Sequence, residues 1–466
     1  MVSMRRFRHD LRRGLGAALI ALQKSSHPEQ YASAVRWACL NLTTYDPQCE
    51  GGRGWYLHQA AVLTGQEEAI EGDVRERFAT CSPDGWLVGY LSDILVQYAW
   101  NGSSSARQAL WDRYADLLGQ YVRTIRKDGW WSSSEITLEG LATLEGLALD
   151  LVRLDGQSAA LAIACDFGKA LDLVGPGSEH TRWQYFPDCF DSAVRDQLGA
   201  EEFDRHLTES SSPGAYEYLE TAAVQQARPW RAAYSSDRPG SRENLDPLEE
   251  FRSRVEQAKQ GDISQFSIRS MAMRLARDQG EEVARIGLAE TVPAIRAEIL
   301  WPFRRRPFPL PDDPLVDLVD TDDDTLRYVV RSILGQRPAE WKRQHALRLL
   351  ARGHQVCEAL DLLGASYDPG DEPIVERAVR GVPRRADELH GVIMTLIDLL
   401  SPEDRPVTAS LLEYILRETP CSSCRGRILR LMRDKDVLSD GTIQECLWDS
   451  SADIREMAAS WYRLLE

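Results

Sequence analysis

Apolar residues along this chain recur at intervals of three and four. Leu87, Leu91, Ile94, Leu95 and Tyr98 fall on one side of a 3.6-residue turn, and so do Leu110, Tyr114, Leu117, Leu118 and Tyr121. The last stretch repeats the pattern with Ile454, Met457, Ala458, Trp461, Tyr462 and Leu465. Each stripe predicts a helix of a few turns with one face in the core. Convincing period-two alternation, the mark of a half-buried strand, is missing, so the pattern predicts an all-α fold.

The punctuation agrees. Asp246-Pro247, followed by Glu249, offers an N-cap with proline in the first helical position; Ser401-Pro402-Glu403-Asp404 does the same, and Ser132 with Glu135 has capping-box spacing. Breaks are short: Ser82-Pro83-Asp84-Gly85, Asn101-Gly102, Asp128-Gly129 and Asp368-Pro369-Gly370. Many helices joined by short turns make antiparallel hairpins, and hairpins in series make a bundle or an α-solenoid. Residues 233–246 are polar, contain Pro-Gly and have no apolar period, so they predict a linker or long loop between an N-terminal segment, 1–232, and a C-terminal one, 247–466. Nine of the thirteen tryptophans precede it, which predicts different packing in the two halves. At the N-terminus, Arg5, Arg6, Arg8, Arg12 and Arg13 before an apolar stretch superficially resemble a signal peptide. The helical spacing of Leu11, Leu15, Ala18, Leu19 and Leu22 favours a first helix instead.

A family resemblance rests on the second half. Pro293-Ala294-Ile295-Arg296, Asp323-Asp324-Thr325-Leu326-Arg327 and Ser451-Ala452-Asp453-Ile454-Arg455 each lead from a polar turn into a helix with an apolar residue beside an arginine. This is similar to HEAT repeats, and the chain as a whole resembles bacterial HEAT-repeat-domain proteins. The resemblance implies an α-solenoid of HEAT-like antiparallel helical hairpins over about residues 262–466, and it carries architecture without chemistry. In such repeats the aspartate caps the helix, the Ile or Leu enters the core, and the arginine reaches the acidic turn of an adjacent repeat.

Charge narrows the partners. With 55 basic and 72 acidic residues the chain carries a net charge of −17, which repels a phosphate backbone and disfavours nucleic acid and anionic membranes. No apolar run reaches about 18 residues, so no membrane span is predicted. Nine scattered cysteines point to a reducing, cytoplasmic setting.

Catalytic signatures such as HExxH, Walker-A, GxGxxG and GxSxG are not found, so the reading is a non-enzymatic scaffold for a protein or peptide partner, with no cofactor. The rival is a HEAT-like enzyme on nucleic acid, DNA-glycosylase-like, built around Asp128-Gly129-Trp130-Trp131; the alternative for that motif is a wedge between helices. The turn from Tyr45 to Tyr56 is the recognition candidate, because Asp46, Glu50, Arg53, Trp55 and Tyr56 join both charge signs to two aromatics among close-approach glycines. Set against it is an interhelical turn in which Arg53 pairs with Glu50. Trp301-Pro302-Phe303-Arg304-Arg305-Arg306-Pro307-Phe308-Pro309 is a basic, aromatic loop that suits an acidic partner or an exposed crossover. Asp320, Asp322 and Asp324 begin like a calcium loop, but Thr325 and Arg331 stand where glycine and glutamate belong, which leaves helix capping. Cys421-Ser422-Ser423-Cys424, with Cys446 as a third thiol, could supply part of a zinc site or a redox pair; packing at a tight helical turn is the preferred reading, with no metal.

Overall fold

The computed structural model describes residues 2–463 apart from 48, 49, 51, 83–84, 128–137, 174–186, 211, 227–245, 262–264, 384, 404 and 406. Among them the chain is helical from end to end and no strand is found. No described helix is long and apolar enough to cross a membrane.

Two compact units form. The first comprises Met1–Arg238, Cys421–Ser423 and Ser439–Glu466; the second comprises Pro239–Pro420 and Cys424–Leu438. The division after Arg238 falls inside the stretch 233–246 expected to link two segments, of which 233–245 lie outside the described residues. The expected second segment, 247–466, is not one unit, because its last helices pack with the first. The Ser450 N–H donates to the Gly14 carbonyl at 2.8 Å. Gly16 lies so close to the Glu445 carbonyl that a Cβ there would sit 1.9 Å from its oxygen.

In the first unit the five apolar residues from Leu11 to Leu22 are all buried, as their spacing predicts. They sit on two helices, not one: Met4–Arg13 ends at Gly14, whose φ of 70° breaks the helix before Gly16–Gln23 begins. Farther on, Gly54–Leu63 packs on Trp86–Trp100, which in turn packs on Ser104–Lys127 and on Leu138–Asp172. The stripes from Leu91 to Tyr98 and from Leu110 to Tyr121 fill these contacts.

The second unit opens as its sequence predicts. Asp246 accepts from the Leu248 N–H at 3.2 Å and caps Pro247–Gln260. The helices Gln265–Leu275, Pro293–Leu300, Asp324–Leu334, Val356–Leu363 and Ala386–Leu400 then pack each on the next, skipping the helix between them. The intervening helices Glu340–Arg352 and Glu372–Gly381 pack on one another in the same way.

The three polar-turn motifs behave partly as expected. Ile295, Leu326 and Ile454 are buried, and Asp323 accepts from the Leu326 N–H at 2.8 Å. Each arginine folds back on the stretch before its own helix, and of the three Arg327 also lies 4.0 Å from Glu358 on Val356–Leu363, in the direction expected. Arg455 donates to the carbonyls of Asp449 and Ser450 at 2.8 and 2.9 Å, Arg327 to Thr321 at 2.8 Å, and Arg296 to Leu288 at 3.4 Å. A guanidinium within reach of carbonyls left over at a helix end satisfies them locally.

Candidate functional site

The turn from Asp46 to Tyr56 is built around two buried charges. Arg53 is 2% exposed and donates to the Arg12 carbonyl, to Thr43 Oγ1 at 3.2 Å and to Glu50 Oε2 at 3.4 Å. Glu50 also accepts from the N–H groups of Tyr45 at 2.9 Å and of Ser422 at 2.7 Å. Tyr56 is buried, and its hydroxyl donates to the Leu15 carbonyl at 2.8 Å. This is the pairing of Arg53 with Glu50 that the sequence sets against a recognition patch. Asp46 is half-buried at the edge of the turn, and its carbonyl accepts from the Glu50 N–H at 2.9 Å.

Trp55 alone of the two aromatics reaches the surface. It stacks on Trp448 with centroids 6.3 Å apart, and the Arg455 guanidinium lies 4.0 Å from its ring centre. Beneath it, Asp93 accepts from the Gly54 N–H. The glycines explain this approach, since a Cβ on Gly54 would come within 2.1 Å of the Asp93 carbonyl oxygen. Burial pushes Asp93 up to about 6, countered in part by the Gly54 N–H and by Arg153 and Arg455. Burial also lowers Arg455 from its ordinary value, and Asp449, Glu456 and Asp93 offset that.

A second arrangement lies on the second unit, along helices that stack in sequence. Arg269 of Gln265–Leu275 forms a two-pronged pair with Glu298, at 2.5 and 2.7 Å, and lies 3.6 Å from the centre of the Trp301 ring. Arg304 lies 4.4 Å from the same centre and 4.0 Å from that of Tyr328, to whose hydroxyl it also donates. Next along the strip, Ser332 donates to Asp361 at 2.7 Å, and burial pushes Asp361 up to about 6 against the pull of Ser332 and Arg304. Beside it, Cys357 contacts Thr395 Oγ1 at 3.1 Å. Burial pushes the Cys357 thiol up to about 11, the wrong direction for a nucleophile.

Trp301, Arg304 and Tyr328 are half-buried, fixed by their neighbours yet open on one side. Part of the basic aromatic loop is therefore a built surface, while Phe303 and Phe308 turn inward against each other, centroids 5.4 Å apart. The partners Arg269, Tyr328 and Asp361 are not signalled in the sequence, because Arg269, Trp301, Tyr328 and Asp361 follow one another at intervals of about thirty residues and only the stacking of alternate helices aligns them.

The remaining candidates resolve as follows. Asp320 pairs with Arg331 at 2.8 Å and lies 3.1 Å from His345, which leaves the acidic run explained by capping and pairing. Asp128 to Trp131 lie outside the described residues. Cys421 and Cys424 are buried at the start of Ser422–Asp434, where Cys424 Sγ lies 3.7 Å from His390 Nδ1 and 3.3 Å from Met394 Sδ. The chain matches no family model, no curated protein and no solved structure.

Proposed function

We propose that this chain is a non-enzymatic interaction scaffold or adaptor, an α-solenoid of HEAT-like hairpins that offers a helical surface to a protein or peptide partner in the cytoplasm. The observation that carries this reading is the Arg269–Trp301–Arg304–Tyr328 strip. Arginine and aromatic side chains supply a disproportionate share of interface hot spots, and these four hold one another in place before any partner arrives, which lowers the entropy cost of binding. The packing of alternate helices in the second unit supports the solenoid part, because each helix then adds its outer face to a shared surface. The chain's net charge of −17 favours a protein over a nucleic-acid partner.

The test uses the full-length chain as bait in a lysate of its own host, with Trp301→Ala beside it. A saturable protein partner whose recovery falls at least about tenfold with Trp301→Ala supports the reading. Recovery unchanged by the substitution, or tight duplex-DNA binding that weakens steeply with salt, would overturn it.

A further inference from the structure

We infer that the first unit binds a small phosphate ester carried on a flat ring, such as a nucleoside monophosphate, between the helices Met4–Arg13 and Ala32–Leu40. The site is a surface cavity of about 310 Å³ lined by Arg8, Leu11, Arg12, Ser33, Ala34 and Trp37. It lies wholly within the first unit and is independent of the function proposed for the Arg304 strip.

The chain builds the cavity from two matched pairs. Arg8 and Arg12 stand four residues apart on one helix, and Ser33 and Trp37 four apart on the other, so each pair shares a face. The two helices pack together, and the buried Leu11 and Ala34 give the cavity an apolar floor. The rim is open: Arg8, Arg12 and Ser33 are exposed, and the Trp37 side chain is 42% exposed.

Charge singles the cavity out. The chain carries a net charge of −17, yet two arginines and no acid line this cavity. Asp10, the one acid of its helix, is held by Arg6 at 3.0 Å and by His9 at 3.1 Å. Among the described residues neither Arg8 nor Arg12 forms an ion pair. The Arg12 guanidinium rests instead 4.3 Å from the centre of the Trp37 ring.

The chemistry selects the ligand. Guanidinium groups present planar forks of N–H donors that fit phosphate oxygens. Two of them one helical turn apart, with the Ser33 hydroxyl on the facing helix, suit a dianion with three free oxygens better than a carboxylate with two. Trp37 adds the ring preference, because its uncovered surface offers a flat ligand a place to stack. The volume is at the small end of ligand pockets, about 300 to 1,000 Å³, which fits one phosphate and one ring. A polyanion would meet the repulsion of the whole chain, whereas a single phosphate meets chiefly these two arginines.

The test is titration calorimetry on the full-length chain with adenosine monophosphate and with phenyl phosphate, beside adenosine and inorganic phosphate. The expected result is one saturable site per chain for the esters, at least about tenfold tighter than for either control, since each control lacks half of the recognised group. A preference for the nucleotide identifies a nucleotide site and equal affinity a general aryl-phosphate site, and both sustain the inference. Binding should weaken below about pH 6, where the ester takes up its second proton. Arg8→Ala and Arg12→Ala should each weaken the esters at least about tenfold, with Arg12→Lys, which keeps the charge and loses the fork, in between. Trp37→Ala should bring the esters down to the affinity of inorganic phosphate. These side chains are exposed, and Arg12 meets Arg53 through its carbonyl, so thermal midpoints should stay within a degree or two of wild type. The site is overturned if neither ester saturates at millimolar concentration, if inorganic phosphate binds as tightly as the esters, or if the arginine substitutions leave affinity unchanged.

Discussion

The turn around Arg53 and the strip around Arg304 are written in nearly the same residues: arginine, tryptophan, tyrosine and acid, at a break between helices. Their destinations are opposite. At the turn, Gly54 lets the backbone close onto Asp93, and the arginine is drawn in to satisfy the Arg12 carbonyl and Glu50. On the strip, the arginine remains half-buried across two aromatic rings. Composition identifies a patch in both places. Whether it becomes a staple or a surface depends on how closely the neighbouring backbone can approach, which is a property of glycines and of partners distant in sequence.

Four substitutions sharpen the contrast, from the largest expected effect downward. Glu50→Ala leaves Arg53 buried without its carboxylate and should cost about 3–5 kcal/mol, seen as an earlier urea midpoint with an unchanged slope. Gly54→Ala forces a methyl group against the Asp93 carbonyl and should cost about 1–3 kcal/mol in the same assay, because both atoms belong to packed backbone. Trp301→Ala should weaken partner binding by about 1.4 kcal/mol or more, a factor of ten, by titration calorimetry; a loss of folding stability larger than the loss of affinity would make the strip a second staple.

The fourth is a pH effect. Asp93 is pushed from its ordinary 3.8 up to about 6, so between those values the folded chain holds a proton that the unfolded chain has released. Its contribution to stability therefore falls as pH rises through that window, and the penalty stays at neutral pH. Asp93→Asn keeps an oxygen for the Gly54 N–H and removes the charge. Thermal melting should find variant and wild type alike near pH 4 and the variant the more stable above about pH 6.

Much of the local structure was legible in the sequence. The stripes through Leu91 and Leu110 are core faces, and Asp246 and Asp323 are caps, because periodicity and capping depend on neighbours within one turn. The break at Gly14 was not, since an apolar period continues unbroken through a residue that adopts a φ of 70°. The burial of Arg53 needed partners on three segments, Arg12, Thr43 and Glu50, of which only the last is close in sequence. His390 carried no signal at all; it meets Cys424 because one helix packs beside another, and a lone histidine thirty-four residues upstream has no motif to announce it. The grouping of Ser439–Glu466 with the N-terminal helices was hidden for the same reason.

The contrast between the two arginines is tested most directly by parallel thermal unfolding of Arg53→Ala and Arg304→Ala in the full-length chain. Arg53→Ala removes the partner of a buried carboxylate and should lower the midpoint by several degrees, whereas Arg304→Ala trims a half-buried side chain and should leave it within a degree or two. An unchanged midpoint for Arg53→Ala, or a larger fall for Arg304→Ala, would contradict the assignment of one arginine to the fold and the other to recognition.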